Sequence, residues 1–122
     1  MSVWQILTSY WPAFLQGLLV TFQLAGLAWC IGIALGLAAG IAAHFYPRSF
    51  GVALRGTAFV ISSIPFLVML YWLHFPLQGS VGIVVPPFYT AAFLLAVMNA
   101  VAVGEIWRGA LDEVRKEYLL AA

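Results

Sequence analysis

The first 47 residues of the chain, from Met1 to Pro47, contain no Asp, Glu, Lys or Arg. A water-soluble domain of ordinary composition has about one charged residue in four, so this stretch cannot form the surface of such a domain. A membrane core requires ~20 consecutive apolar residues for each helical span. Because 65% of all residues are hydrophobic and only 7% are charged, the chain is predicted to be an integral membrane protein.

Three apolar segments predict three transmembrane helices within a single domain, residues 1–122. The spans are expected at about residues 14–43, 54–75 and 88–107. Breaks are indicated by the sequence HFYPRSFG, where Pro47 removes a backbone donor, and by PLQGSVGIVVPP. Backbone polar groups in hydrocarbon must be satisfied within each segment. The predicted fold is therefore all-α, with three transmembrane helices followed by a short cytoplasmic amphipathic helix.

The basic residues predict the orientation of the spans. Arg48 and Arg55 lie between the first two spans, and Arg108, Arg115 and Lys116 follow the third. With three crossings both groups lie on the same side of the membrane, and an excess of Lys and Arg marks the cytoplasmic side. The N-terminus is therefore predicted to be extracytoplasmic and the C-terminal tail cytoplasmic.

Several classes of function are disfavoured by the sequence. The net charge of +1 does not indicate nucleic acid as a partner. Cys30 is a single cysteine and is interpreted as a small core residue. His44 and His74 fall at opposite ends of spans, so they cannot form a metal pair, and each is predicted to be an interfacial side chain. No nucleophile or phosphate-binding motif is present, so we expect no catalytic, metal or cofactor site and no enzymatic activity.

Gly32, Gly36 and Gly40 recur every four residues along the first span. A stripe of small residues allows a second helix to approach closely. The stripe is predicted to pack against the second or third span, and contact with another subunit is the alternative.

Four further residues are candidates for a pathway or gate: Ser62, Ser63, Pro65 and Asn99. Polar side chains within a span commonly form hydrogen bonds across helices, so structural bonding is favoured for Asn99 and the two serines, and a role in a substrate path is the alternative. Pro65 is expected to kink the second span.

The tail holds most of the charge, and its apolar residues recur at intervals of three and four, as in an amphipathic helix. Arg108 can pair with Asp112, and Asp112 with Lys116, at a spacing of four residues, and a turn is expected near Gly109. Such pairs are too weak to fold a short helix alone, so the tail needs a surface to dock against. Lipid headgroups and a cytosolic protein are both possible surfaces. The apolar stripe comprises Leu111, Val114, Tyr118, Ala121 and Ala122.

The sequence NAVAVGEIWRGALDEV, from Asn99 to Val114, resembles the exit of the third span in permeases of polar amino-acid ABC transporters (the histidine, glutamine and arginine type). GLLVTFQLA is similar to the start of the first span in that family, and IPFLVMLYWLHFPL to its second span. The three motifs occur in the family's order and cover nearly the whole chain. The matching residues are Gly17, Thr21, Gln23, Leu24, Pro65, Leu67, Val68, Leu70, Asn99, Ala102, Glu105, Ile106, Arg108 and Gly109.

The resemblance implies the N-terminal part of a pathway subunit in the bacterial inner membrane, with ATP hydrolysis on a separate ATP-binding cassette subunit. It also implies a second permease subunit and an extracytoplasmic substrate-binding protein. The family continues beyond this point with the rest of a loop and two more spans, so the chain is expected to be incomplete at its C-terminus. A small membrane scaffold or accessory subunit, or a truncated permease without transport, is the alternative. The residues implied in ATPase coupling are Glu105, Arg108, Gly109, Leu111, Val114, Tyr118, Ala121 and Ala122.

The chain departs from the family pattern at two places. Ser62, Ser63 and Ile64 stand before Pro65 where the family has Arg-Gly-Thr. In the loop, Arg115, Glu117 and Tyr118 replace the family's Pro, Gly and Gln, and Leu120 replaces its Glu.

Overall fold

The computed structural model describes residues 1–121, and within them the chain is almost entirely helical. The five α-helices of this part are α1 (Val3–Phe45), α2 (Val52–Ser63), α3 (Phe66–His74), α4 (Pro76–Val81) and α5 (Pro87–Ala121). A single π-helical turn, Pro47–Gly51, joins α1 to α2. No strand occurs among the described residues. The expected all-α class is confirmed.

Helices α1 and α5 pack side by side and run in the same direction. Residues later in α1 contact residues later in α5. Ala28 lies beside Asn99, and His44 lies beside Asp112. Because the pair is parallel, residues 46–86 have to return the chain from the end of α1 to the opposite end of the pair. That return is made by α2, α3 and α4.

The glycine stripe of α1 lies against α5. A Cβ added at Gly32 would lie 2.7 Å from the Cβ of Asn99, and one added at Gly36 would lie 2.6 Å from the Cβ of Val103. At Gly40 it would lie 2.7 Å from the carbonyl oxygen of Gly104. Only glycine permits this spacing, since these distances are shorter than carbon contacts allow. The closest helix packing in the described chain is therefore within one subunit and involves the third apolar segment.

The middle apolar segment is not one kinked helix. The helical segments Pro47–Ser63 and Phe66–Val81 meet at an angle of 97°. Ile64 and Pro65, between them, have extended backbone with ψ of 128° and 139°. Proline disfavours helical conformation in the residue before it and has no N–H for the helix, which explains a full break. The disturbance expected at Pro65 is confirmed, but it is a full break between two helices rather than a kink in one continuous helix.

Two of these helices, α1 and α5, are long and apolar enough to cross a membrane, and the number rises to three if the bent pair counts as one span. The observed α1 is longer than the predicted span 14–43, because it begins at Val3. Ser2 caps it: its side chain accepts a hydrogen bond from the backbone of Gln5, whose own side chain bonds back to Ser2. This reciprocal cap satisfies backbone donors at the start of the helix.

Helix α5 continues without interruption from Pro87 to Ala121. The turn expected near Gly109 is therefore absent, and the tail is the last part of a long helix rather than a separate short one. A Cβ added at Gly109 would meet nothing within 4 Å, so no close contact requires a glycine there.

Candidate coupling surface and pathway groove

A charged cluster ties the end of α1 to α5. The Nδ1 of His44 lies 2.7 Å from Oδ1 of Asp112. Arg108 donates from Nη1 to Oδ2 of Asp112 at 3.3 Å and from Nε and Nη2 to the two oxygens of Glu105 at 3.1 and 3.2 Å. A guanidinium that binds a carboxylate through two nitrogens has a fixed orientation. The cluster therefore holds α5 in a defined position where α1 ends.

The electrostatics of the cluster favour the charged forms of Asp112 and Arg108. The hydrogen bond from His44 lowers the pKa of Asp112, and the charges of His44, Arg108 and Arg55 act in the same direction. The hydrogen bond with Glu105 raises the pKa of Arg108. The effect of Arg55 also shows that the start of α2 lies near this end of the bundle. The predicted pair of Asp112 with Lys116 is not formed in residues 1–121, where Asp112 pairs with His44 and Arg108 instead.

Beyond Asp112, residues 113–121 of α5 are all exposed. Val114 is 63% exposed and Tyr118 is 78% exposed, while Leu111 is half-buried. Ala121 is also exposed, and Ala122 lies outside the described residues. The residues implied in ATPase coupling thus divide into two groups. Glu105 and Arg108 are bound within the cluster, and the apolar residues after it are free to contact another molecule.

Asn99 belongs to an open groove between α1, α5 and the start of α3. Its Nδ2 donates to the carbonyl oxygen of Ala28 at 3.1 Å, so the amide binds the backbone of the neighbouring helix. The groove has a volume of about 630 Å³. A side chain in this position both joins the helices and contributes a polar atom to an otherwise apolar cleft. The lining residues include Thr21, Ala25, Trp29, Phe66 and Met98.

Ser62 and Ser63 are not brought together with Asn99 by any hydrogen bond. Their hydroxyls donate to carbonyl oxygens of their own helix, to Ala58 at 2.6 Å and to Phe59 at 2.7 Å. Both side chains are exposed. Of the four pathway candidates, only Asn99 lines the groove directly. Pro65 lies at the break between α2 and α3, and the next residue, Phe66, lines the groove.

A second polar cluster, which sequence reasoning missed, joins α3, α4 and α5. Gln78 donates from Nε2 to Oγ1 of Thr90 at 3.0 Å, and its Oε1 accepts from the backbone N–H of Val85 at 2.9 Å. The Nδ1 of His74 lies 3.2 Å from the same Thr90 hydroxyl. Thr90 is only 4% exposed.

The sequence predicted both histidines as interfacial side chains, and the structure adds a specific contact for each of them. His44 binds Asp112, and His74 binds Thr90, at opposite ends of the α1–α5 pair. No group of His, Cys, Asp or Glu within residues 1–121 could hold a metal ion. The only sequence signal for the second cluster was a threonine within the first turn of an apolar span.

No protein-family model matches the chain, and no solved structure matches it significantly. One curated relative does. The chain is similar to a probable amino-acid ABC transporter permease protein of Sinorhizobium fredii. The two sequences are 26% identical over 103 residues, which cover 84% of this chain.

The aligned region is 44% of the relative, so the chain spans less than half of that permease's length. The similarity nevertheless includes most of the chain and agrees with the apolar helices α1 and α5, which are able to span a membrane. Together they support a membrane-embedded protein related to ABC transporter permeases.

Proposed function

We propose that the chain is part of a permease subunit of an ATP-driven importer for polar amino acids. In this proposal it crosses the membrane three times, the bent segment 47–81 forming the second crossing. The main support is the similarity to an amino-acid ABC transporter permease over 84% of the chain. The parallel packing of α1 and α5 agrees with it, because an odd number of crossings makes the first and last spans parallel.

The proposed orientation places the charged cluster in the cytoplasm. Arg48 and Arg55 follow the end of α1, and Arg55 acts on Asp112, so basic residues from both segments gather at one end of the pair. An excess of Lys and Arg is typical of the cytoplasmic side. The N-terminus is then extracytoplasmic, and the membrane is a bacterial inner membrane.

The tail of α5 is the proposed coupling surface. It leaves the bundle just after a cluster that fixes its direction, and its apolar residues Val114 and Tyr118 are exposed, which in the proposed orientation places them in the cytoplasm. Apolar residues on a helix outside the membrane are typical of a surface that docks into a groove of a partner. We propose a cytosolic ATP-binding cassette subunit as that partner, with ATP hydrolysis on the partner and none on this chain.

A second permease subunit and an extracytoplasmic substrate-binding protein complete the proposed importer. The open groove at Asn99 is the proposed part of the pathway, and Asn99 and Thr21 are the polar residues of its otherwise apolar lining. No cofactor is proposed on the chain.

The experiment that tests coupling is the substitution Val114→Asp in the native protein, reconstituted with its ATPase in liposomes. A charge on the docking stripe should abolish uptake and leave ATP hydrolysis unstimulated by substrate. Leu119→Asp is the matched control, since Leu119 is 65% exposed but is turned by roughly 140° around the helix from Val114. Normal uptake with Val114→Asp would overturn the docking proposal. If no ATPase accompanies the protein after detergent extraction, the scaffold alternative is favoured.

A further inference from the structure

The turn between α4 and α5 is held by hydrogen bonds to one residue, Gln78. Gly82 ends α4 in the left-handed conformation, with a φ of 75°. The backbone N–H groups of Gly82 and Ile83 donate to the carbonyl oxygen of Gln78 at 2.9 and 3.2 Å. Further along the turn, the N–H of Val85 donates to Oε1 of the Gln78 side chain at 2.9 Å. The second half of the turn therefore depends on where that side chain is fixed.

The bond to Val85 also determines which end of the Gln78 amide faces His74. A backbone N–H only donates, so the atom that it binds is the amide oxygen, and the NH2 group points the other way. The Nε2 of this group donates to Oγ1 of Thr90 at 3.0 Å and lies 3.4 Å from Nδ1 of His74. Because an amide NH2 group has only donors, His74 meets a donor on this side.

The Thr90 hydroxyl presents a second donor to His74. Its oxygen accepts from Gln78 and lies 3.2 Å from Nδ1 of His74, and it forms no other hydrogen bond within residues 1–121. Thr90 is 4% exposed, so the hydroxyl proton is directed to Nδ1 rather than to water. With two donors against it, Nδ1 has to be the acceptor of a neutral imidazole that carries its proton on Nε2.

Protonation of His74 would reverse this arrangement. In the imidazolium both ring nitrogens are donors, so Nδ1–H would face the NH2 group of Gln78, and the Thr90 hydroxyl would lose its acceptor. A buried polar group without a partner is unfavourable. Withdrawal of the Gln78 side chain relieves the conflict between the donors. Because the same side chain binds Val85, the turn is released with it.

His74 is the titratable group of this region that belongs to the range between about pH 5 and pH 8, in which histidine changes its charge. Residues 56–104 contain no charged side chain, and residues 11–29 of α1 contain no titratable one. Tyr71 on α3 and Tyr89 on α5 are the other titratable residues of the surrounding helices, and tyrosine in general ionises near pH 10. His74 is half-buried and lines an open cavity of about 590 Å³, so protons can reach it.

The turn forms a shared wall of two cavities. Gln78, Ile83 and Val85 line both the cavity beside His74 and a second one of about 420 Å³. The second cavity is otherwise apolar and includes Leu73 and Phe93 in its lining. Movement of the turn therefore changes both cavities at once.

We propose that protonation of His74 withdraws Gln78 from Thr90 and releases the turn of residues 82–86, so that acid opens the wall between the two cavities. Protonation of histidine is a common trigger for a change between two conformations. All the groups that this switch requires lie within residues 1–121. Its location on the extracytoplasmic side rests on the orientation proposed above, but its operation does not depend on a role in transport.

Hydrogen exchange of the Val85 amide in the native protein at pH 8 and pH 5 tests the proposal. His74→Asn is the matched variant, because asparagine can supply an acceptor near the position of Nδ1 but does not gain a proton. The two proteins are compared at the same pH, so the intrinsic effect of pH on exchange cancels. Their Val85 rates should be equal at pH 8, and at pH 5 the native rate should be about three- to tenfold higher. Leu94, which is 8% exposed in α5, is the reference amide and should show no difference.

A second measurement needs no variant. The ¹⁵N chemical shifts of the His74 ring distinguish a protonated from an unprotonated nitrogen, and they should place the proton on Nε2 at pH 8 and on both nitrogens at pH 5. A proton on Nδ1 at pH 8, or a ring that stays neutral at pH 5, would overturn the proposal. So would equal Val85 exchange in the two proteins at pH 5.

An equal gain in exchange at Leu94 would overturn the proposal in favour of a general loosening of the protein by acid. The measurements use the protein without its ATPase or a substrate. Their outcome is therefore separate from the loss of uptake expected in Val114→Asp, and either proposal can fail while the other stands.

Discussion

His44 and Asp112 are separated by 68 residues in sequence, and the Nδ1 of His44 lies 2.7 Å from a carboxylate oxygen of Asp112. The other carboxylate oxygen accepts a hydrogen bond from Arg108. Asp112 thus joins the end of α1 to the part of α5 that leads into the exposed tail. Because the residues after Asp112 are all exposed, the position of the proposed coupling surface depends largely on this junction.

The first prediction concerns His44→Ala. Loss of the imidazole should lower the stability of the purified protein by about 1 kcal/mol or less, because the Asp112 side chain is partly solvated and screened. The measurement is thermal unfolding in detergent. In the reconstituted importer the same variant should weaken substrate stimulation of ATP hydrolysis, since the tail is less firmly held. His74→Ala, at the other end of the bundle, is the control for coupling and should leave the stimulation unchanged.

The second prediction is a pH dependence that originates at Asp112. The pKa of Asp112 is lowered in the folded protein, chiefly by the hydrogen bond from His44. The stability contributed by Asp112 is therefore fully present above the ordinary aspartate value of about 3.9 and is lost as the pH falls through the lower folded value. Unfolding temperatures of the native protein and Asp112→Asn should differ at pH 7 and converge as the pH falls through the lowered pKa of Asp112. A constant difference would contradict the prediction.

The third prediction tests the close packing of α1 on α5. Gly36→Ala should destabilise the protein by about 1–3 kcal/mol, because the new methyl group would lie 2.6 Å from the Cβ of Val103 and 2.7 Å from the carbonyl oxygen of Ala100. Gly17→Ala on the same helix is the control. An added Cβ there meets nothing within 4 Å, so the higher helix propensity of alanine should make it neutral or slightly stabilising. The check is the unfolding midpoint of both variants.

Much of the helical fold follows from the sequence, because hydrophobic length and proline position act locally. The apolar runs predicted the first and third helices, and Pro65 indicated a disturbance in the middle segment. The angle of that disturbance could not be predicted from the sequence, because a kink and a 97° break both satisfy the local preference of proline. In the structure α2 and α3 both contact α5, and such contacts between distant segments cannot be predicted from local sequence.

The fourth prediction concerns Asn99→Ala. Its amide bonds the backbone of α1 at Ala28, and removal should cost about 0.6–2 kcal/mol, as for other hydrogen bonds between membrane helices. Because Asn99 also lines the proposed pathway groove, uptake in liposomes should fall by more than the stability loss explains. Ser62→Ala is the control, since the Ser62 hydroxyl only bonds Ala58 of its own helix. If uptake by Asn99→Ala is unchanged, the groove is not part of the pathway.

The polar contacts of the site could not be predicted in the same way as the helices. His44 pairs with Asp112, and His74 with Thr90, only because the parallel register of α1 and α5 and the return through α4 bring them together. The sequence predicted the pair of Arg108 with Asp112, since a spacing of four residues on one helix fixes it. The pair of Asp112 with Lys116 has the same spacing but does not form. Asp112 binds His44, which belongs to another helix, in addition to Arg108.

The last prediction concerns Thr90→Val, a change that keeps the shape of the side chain and removes its hydroxyl. Thr90 is 4% exposed and is the shared partner of Gln78 and His74. Without it their polar atoms lose a buried partner, which should cost about 1–3 kcal/mol and loosen the turn at 82–86 that Gln78 holds through Val85. Thr57→Val is the matched control, because the Thr57 hydroxyl is exposed and bonds only Ala53 of its own helix. Hydrogen exchange of the Val85 amide should rise in Thr90→Val and stay unchanged in Thr57→Val, whereas equal exchange in both would show that the cluster does not hold the turn.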